Sequence, residues 1–280
     1  MRFGLNTFLF QSPFTDNSYH LIKRFKDWGF DSIEIAIEEP SHVNATTLKK
    51  ALDENGISCG STCAALGPDR DLRGTAVQQE TSMDYLKRLM DIMQVIGSPV
   101  LVGPLYSSVG RAAPRDDNEY RRQWEVVVKN LQELCRYAEE RNVRLAIEPL
   151  NRYETDFINT CAQGMQLVND VDHPAIGLLL DTYHMNIEEK NSADAIRMAG
   201  DRLYHFHACG CDRGTPGNDH IEWSSIVQAL QDVKYDGTIV IESFTTDVKV
   251  IAKAASIWRK FEPSQEDIAV NGLKFLKSIF

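Results

Sequence analysis

Between Arg144 and Glu242 one phrase recurs: RLAIE at 144–148, IGLLLD at 176–181, LYHFH at 203–207 and TIVIE at 238–242. Each is a short, mostly apolar run that stops on a group able to carry charge: Glu148, Asp181, His207 and Glu242. Short apolar runs without a polar alternate suit strands buried on both faces, as in a parallel sheet. Between them lie stretches with helical spacing at 161–171, 192–198 and 224–232. After the last strand, 248–256 and 265–277 also read as helices.

The first half follows the same scheme. Strands are expected at 2–6, 32–36, 58–63 and 100–102, and helices at 18–28, 46–55, 77–96 and 119–140. Eight strand–helix units without a low-complexity linker predict an α/β chain folded as one (β/α)8 TIM barrel domain over residues 1–280. An open doubly wound sheet is the competing fold. Its usual mark is a glycine-rich phosphate loop after the first strand, and no GxGxxG or GxxxxGK[ST] occurs.

Composition bounds the function. The formal charge of −10 disfavours phosphate backbones and anionic lipid, so neither nucleic acid nor a membrane surface is an expected partner. No apolar run approaches the roughly 18 residues of a membrane span, and the first residues, MRFGLN, lack a signal-peptide core. A cytoplasmic protein is expected. The six cysteines then read as buried thiols. Cys209 and Cys211 lack the second ligand pair of a zinc knuckle.

In a barrel, the C-terminal strand ends share one mouth, where active sites sit. Glu148, Asp181, His207 and Glu242 would therefore meet. Any one of them alone could be a helix cap or a surface group, but consecutive units ending alike point to a metal site. Three carboxylates packed together repel one another unless a cation intervenes. Three oxygens and one imidazole form a fairly hard set, better suited to Mn²⁺, Co²⁺ or Mg²⁺ than to structural zinc. The loops behind the quartet add Glu154, His184 and Arg213, groups able to bind carbonyl and polyol oxygens. For His184 a helix start, and for Arg213 a loop salt bridge, are the plainer readings.

The stretches AIEPLNRYE (146–154), GLLLDTYHMNIEE (177–189), HFHACGCDRGTPG (205–217) and VIESF (240–244) resemble the D-tagatose 3-epimerase family. That family includes the D-allulose (psicose) and L-ribulose 3-epimerases and belongs to the xylose-isomerase-like barrels. The loop DRGTPG is the most selective of these features. The N-terminal half matches only as barrel architecture.

The resemblance implies a metal-dependent isomerase that inverts C3 of an unphosphorylated ketose through a cis-enediolate. Its substrate would be of the D-fructose/D-allulose, D-tagatose/D-sorbose or L-ribulose type. It implies Glu148, Asp181, His207 and Glu242 as ligands of a divalent ion, Mn²⁺ first and Co²⁺ or Mg²⁺ next. Glu148 and Glu242 would double as the acid/base pair, and Glu154, His184 and Arg213 would hold the carbonyl end of the sugar. Gly103 would line the mouth with its backbone, and the chain would work as a homodimer or homotetramer. Phe8, Phe10 and Tyr106 are candidates for the apolar wall at the far end of the sugar, against core packing as the alternative.

Two other activities compete. An aldose–ketose isomerase of the same barrel group would use the same metal between C1 and C2. An apurinic-endonuclease-like phosphodiesterase would need more histidines around several zinc ions and a basic DNA face. The chain has only seven histidines and an acidic balance. A phosphorylated substrate is also disfavoured, because SFTTD (243–247) after the last strand has no glycine.

Overall fold

Strand β2 (Ser32–Ile37, SIEIAI) is buried at every position, as a parallel strand covered on both faces is; its three isoleucines alternate with Ser32, Glu34 and Ala36. Seven others join it, buried but for positions in β1, β3, β5 and β7: β1 (Arg2–Asn6), β3 (Ser58–Ala64), β4 (Val100–Gly103), β5 (Arg144–Ile147), β6 (Ile176–Asp181), β7 (Leu203–Ala208) and β8 (Thr238–Ile241). In the computed structural model, which describes residues 1–280, they form a closed parallel barrel in sequence order. Closure is made by β1 against β8, with Arg2 opposite Thr238 and Leu5 opposite Ile241. The (β/α)8 TIM barrel expected from the sequence is the fold observed.

The helices are α1 (His20–Asp27), α2 (Ala45–Asn55), α3 (Ala76–Ile96), α4 (Asp117–Glu139), α5 (Cys161–Val171), α6 (Thr182–Glu188), α7 (Ser192–Ala199), α8 (Trp223–Asp232), α9 (Lys249–Ala254) and α10 (Gln265–Ile279). Local chemistry sets their ends. Thr75 with Gln78, and Thr160 with Gln163, form capping boxes at the starts of α3 and α5. Gly97 closes α3 at φ +76°, a conformation that costs a residue with Cβ. Helix α6 is absent from the helices expected from periodicity, but it contains the helix start weighed for His184. It is short, and its start is set by Asp181, whose Oδ1 accepts from the backbone N–H groups of Tyr183 and His184.

The main core lies between barrel and helices and includes Ile33, Ile35 and Ile37 of β2. The alternate residues of the strands face the barrel interior. Ala36, Cys63, Val102, Ala146 and Leu179 form a second, smaller cluster there with Phe8 and Phe244. Gly177 of β6 has a steric reason: a Cβ there would lie 2.4 Å from the Arg202 carbonyl oxygen and 2.6 Å from the Tyr204 ring.

The loops after β3, β4 and β5 are tied together by one guanidinium. Arg73, with its side chain 1% exposed, pairs with Asp156 and donates to Ser107 Oγ and the Arg111 carbonyl, both at 2.9 Å. Removing one partner of a buried pair strands the other, at a cost of 3–5 kcal/mol. Asp156 keeps some solvent contact. Arg73→Met is therefore expected to lower unfolding stability by about 3 kcal/mol, read as a lower urea midpoint at unchanged m-value. A loss below about 1 kcal/mol would show the pair to be dispensable. No helix is long and apolar enough to cross a membrane.

Candidate active site

The four strand-end groups meet at the mouth of the barrel. Ligand-capable atoms of Glu148, Asp181, His207 and Glu242 all lie within 4.8 Å of one another, and all four residues are buried. Glu148 follows β5 directly, and its N–H donates to Gly103 O at 3.1 Å, extending the ladder by one residue. His207 sits inside β7. Its Nδ1 lies 3.3 Å from Glu242 Oε2, 3.7 Å from Asp181 Oδ2 and 4.0 Å from Glu148 Oε1.

The electrostatics are unbalanced. Burial, and then the neighbouring Glu242 charge, push the Glu148 carboxyl well above the ordinary range. Burial also raises Asp181, with the Arg213 guanidinium opposing. Arg213 lies 3.2 Å from Asp181 Oδ2 and 3.5 Å from Glu242 Oε2. It is stacked between Tyr183 and Phe244, at 4.7 and 4.6 Å from their ring centres. Its backbone is left-handed, φ +70°, and is pinned by Arg213 N–H to Gly210 O and Phe244 N–H to Arg213 O. Three buried carboxyl groups face one guanidinium, and without a cation the raised Glu148 and Asp181 carboxyls are how the site sheds part of that negative charge.

Four buried side-chain nitrogen or oxygen atoms lack any hydrogen-bond partner: Glu148 Oε1, His207 Nδ1, Arg213 Nε and His205 Nε2. Two of them belong to the quartet. Orphaned donor atoms, surplus negative charge and a hard donor set all fit a divalent cation.

His184 lies behind Glu148. The Asn151 backbone N–H donates to His184 Nδ1 at 3.0 Å, while Nε2 lies 3.3 Å from Arg213 Nη1. Nε2 is also 3.6 Å from Glu148 Oε1. Burial, and then the charge of Arg213, hold the ring neutral by keeping it well below its ordinary range. Glu154 accepts from Asn151 Nδ2 at 2.8 Å, and burial raises its carboxyl against the opposing pull of Arg213.

A cavity of about 470 Å³ opens above the quartet. Glu148, Glu154, Arg213 and Glu242 are among its lining residues, and Asp181 and His207 lie within the same cluster as Glu148 and Glu242. Phe8, Ala64, Leu66, Val109, Phe244 and Ile251 belong to the cavity's apolar wall.

Several expectations need correction here. Phe10 is not part of the wall; it packs against Phe25 and Trp28 at 5.4 and 5.5 Å. Tyr106 is fully buried against Phe157, and its hydroxyl donates to Glu148 O at 3.0 Å, so it braces the strand end from behind. Gly103 does not reach the cavity, where Pro104 stands instead, but its carbonyl holds Glu148. The helix start and the candidate contact turn out to be the same place for His184, in the first turn of α6. The first half of the chain also supplies more than architecture. Asn6, Glu34 and Ser61 are buried beside the quartet. The available signal was Glu34 itself, a carboxylate in the middle of the apolar run SIEIAI.

A family model for the xylose isomerase-like TIM barrel matches residues 22–279. A probable ketose 3-epimerase of Synechocystis sp. is 36% identical, the match spanning 100% of this chain and 97% of that one. The chain belongs to the ketose 3-epimerase family. As a ketose 3-epimerase family member it is an isomerase acting on sugars. A D-psicose 3-epimerase of Enterocloster bolteae is 34% identical over 90% of this chain and 87% of its own. Among solved ketose 3-epimerases, a D-allulose 3-epimerase from Methylomonas sp. in complex with D-allulose superposes with a TM-score of 0.94. It is 27% identical, with 100% of this chain and 97% of that one covered.

Proposed function

We propose that this chain inverts C3 of an unphosphorylated, open-chain ketose, with a divalent cation held by Glu148, Asp181, His207 and Glu242. The observation that carries this reading is the pair Glu148 and Glu242. Both are buried, both line the cavity, and they come from β5 and β8, separate parts of the barrel wall.

Inversion needs a proton removed from one face of C3 and another delivered to the opposite face. One base cannot reach both faces of a planar enediolate, so two acid/base groups on opposite faces are needed, a role that Glu148 and Glu242 would fill. Arg213 and Glu154 border the same space and would grip the oxygens at the carbonyl end of the sugar. Neutral His184 stands beside Glu148, its Nε2 3.6 Å from Glu148 Oε1 and 3.3 Å from Arg213 Nη1. A bound divalent ion, Mn²⁺ first and Co²⁺ or Mg²⁺ next, would neutralise the surplus carboxylate charge and stabilise negative charge as it develops on the substrate. The names of the relatives, D-psicose and L-ribulose 3-epimerases, direct the choice of sugars. The same reading takes residues 1–280 as one cytoplasmic barrel domain working as a homodimer or homotetramer, which light scattering on the purified protein checks.

The test is incubation with Mn²⁺ and D-fructose, D-tagatose or L-ribulose in D₂O. Appearance of the C3 epimer with deuterium at C3 is expected for at least one sugar. Deuterium at C1 or C2 with aldose formation would instead identify an aldose–ketose isomerase. No exchange with any of the three would end both readings.

A further inference from the structure

Under the quartet, the first three strands build a polar layer. Glu34 in the middle of β2 is wholly buried. A buried carboxylate costs several kcal/mol unless its lone pairs are met, and those of Glu34 are well met. Oε1 lies 2.9 Å from His207 Nε2 and accepts from Asn6 Nδ2 at 2.7 Å. Oε2 accepts from Ser61 Oγ at 2.5 Å and lies 2.8 Å from His205 Nε2. Asn6 is equally committed. Its second amide hydrogen goes to Glu242 Oε1 at 3.1 Å, and its own oxygen accepts from the Phe8 N–H at 2.7 Å. Two members of the quartet, from β7 and β8, are therefore held from behind by side chains of β1 and β2.

We infer that Glu34 is a positioning residue for the metal site. By accepting the Nε2 proton of His207 it fixes the tautomer that leaves the Nδ1 lone pair facing Glu148, Asp181 and Glu242. The inference rests on the proposed metal reading. An imidazole left to itself exchanges its proton between two nitrogens and turns about its side-chain bonds; a carboxylate on one nitrogen stops both. The partnerless state of Nδ1, against the short contact of Nε2, is the arrangement such a device produces. Through Asn6 the same carboxylate steadies Glu242 as well. Glu34, His205 and His207 are close enough to hold a cation themselves. That use is disfavoured, because a cation there would have to displace the Asn6 and Ser61 hydrogens already on both Glu34 oxygens.

Glu34→Gln keeps the volume but leaves one oxygen to serve both sides. Mn²⁺ titrated into the purified full chain, followed by the electron paramagnetic resonance of free and bound ion, gives affinity, stoichiometry and ligand symmetry without any assay of turnover. One Mn²⁺ per wild-type chain is expected, bound about 10- to 100-fold more weakly by E34Q and with an altered bound spectrum. In a His207→Gln background, the further loss on adding E34Q should shrink to about threefold or less, because the residue through which Glu34 acts is gone. Should E34Q not fold, E34D asks the same question, with an expected loss of about 3- to 10-fold. Unchanged affinity in the folded variant overturns the inference, as does an equal loss in both backgrounds. Two ions per wild-type chain would make Glu34 a ligand and overturn it too. A wild-type chain that binds no Mn²⁺ overturns the metal reading itself, and this inference with it.

Discussion

Glu148→Gln and Glu242→Gln should each lower kcat for C3 epimerisation by about 10³-fold or more, since a positioned acid/base group contributes 10²–10⁴ and each variant also loses a candidate ligand oxygen. The two losses should differ in kind. With one base missing, the surviving carboxylate can still take the C3 proton from the epimer whose hydrogen faces it. It can return a proton only to that same face. In D₂O one variant is then expected to exchange deuterium into the starting ketose without inverting it, and the other to do so only with the C3 epimer. This mirror pattern distinguishes an acid/base pair from two ligands that merely hold an ion. Retention of more than about a tenth of wild-type kcat by both variants would refute the assignment. Gln preserves the volume of both side chains, and circular dichroism serves as the control on folding.

Removing divalent ions with a chelator is the second large effect. Activity should fall to background and return with Mn²⁺. Stability should fall as well. An ion at a hundred times its dissociation constant adds about 2.7 kcal/mol, and each kcal/mol moves the melting temperature of a large domain by roughly 2–4 °C. A drop of about 5–10 °C is expected. Its pH dependence has a definite sign. Burial raises both Glu148 and Asp181 above their ordinary range. In the cation-free state the folded chain keeps protons that the unfolded chain releases, so stability falls as pH rises through the raised values. Protons and cation also compete for the same oxygens. The chelator-induced drop should therefore be larger at pH 8 than at pH 5.5. An unchanged melting temperature at pH 8, with full activity in chelator, would remove the metal from the account.

Much of this was legible because of the barrel. Parallel strands buried on both faces show as apolar runs, and β1, α5 and β6 have the boundaries read from the sequence. The quartet was visible because each member stands where such a run stops. What escaped notice depends on closure. Glu34 looks anomalous in SIEIAI, but its partner His207 is 173 residues away along the chain, and local pattern does not reach that far. Phe10 and Tyr106 failed for another reason. They lie beyond strand ends, where no alternation says which way a ring points, and packing against Trp28 and Phe157 decided it. The seven residues of α6 are too few to show a helical repeat, so only a helix start at His184 could be read, and its first turn is held by the candidate ligand Asp181.

That last feature has a thermodynamic reading. Asp181 spends Oδ1 on the amides of Tyr183 and His184, while Oδ2 faces His207 and Arg213. Its side-chain torsions are thus frozen when α6 forms, during folding, and not when an ion arrives. For this candidate ligand, association would carry no loss of rotamer entropy. Any change that frays the first turn of α6 would return that freedom, and binding would slow and weaken although every oxygen were still present.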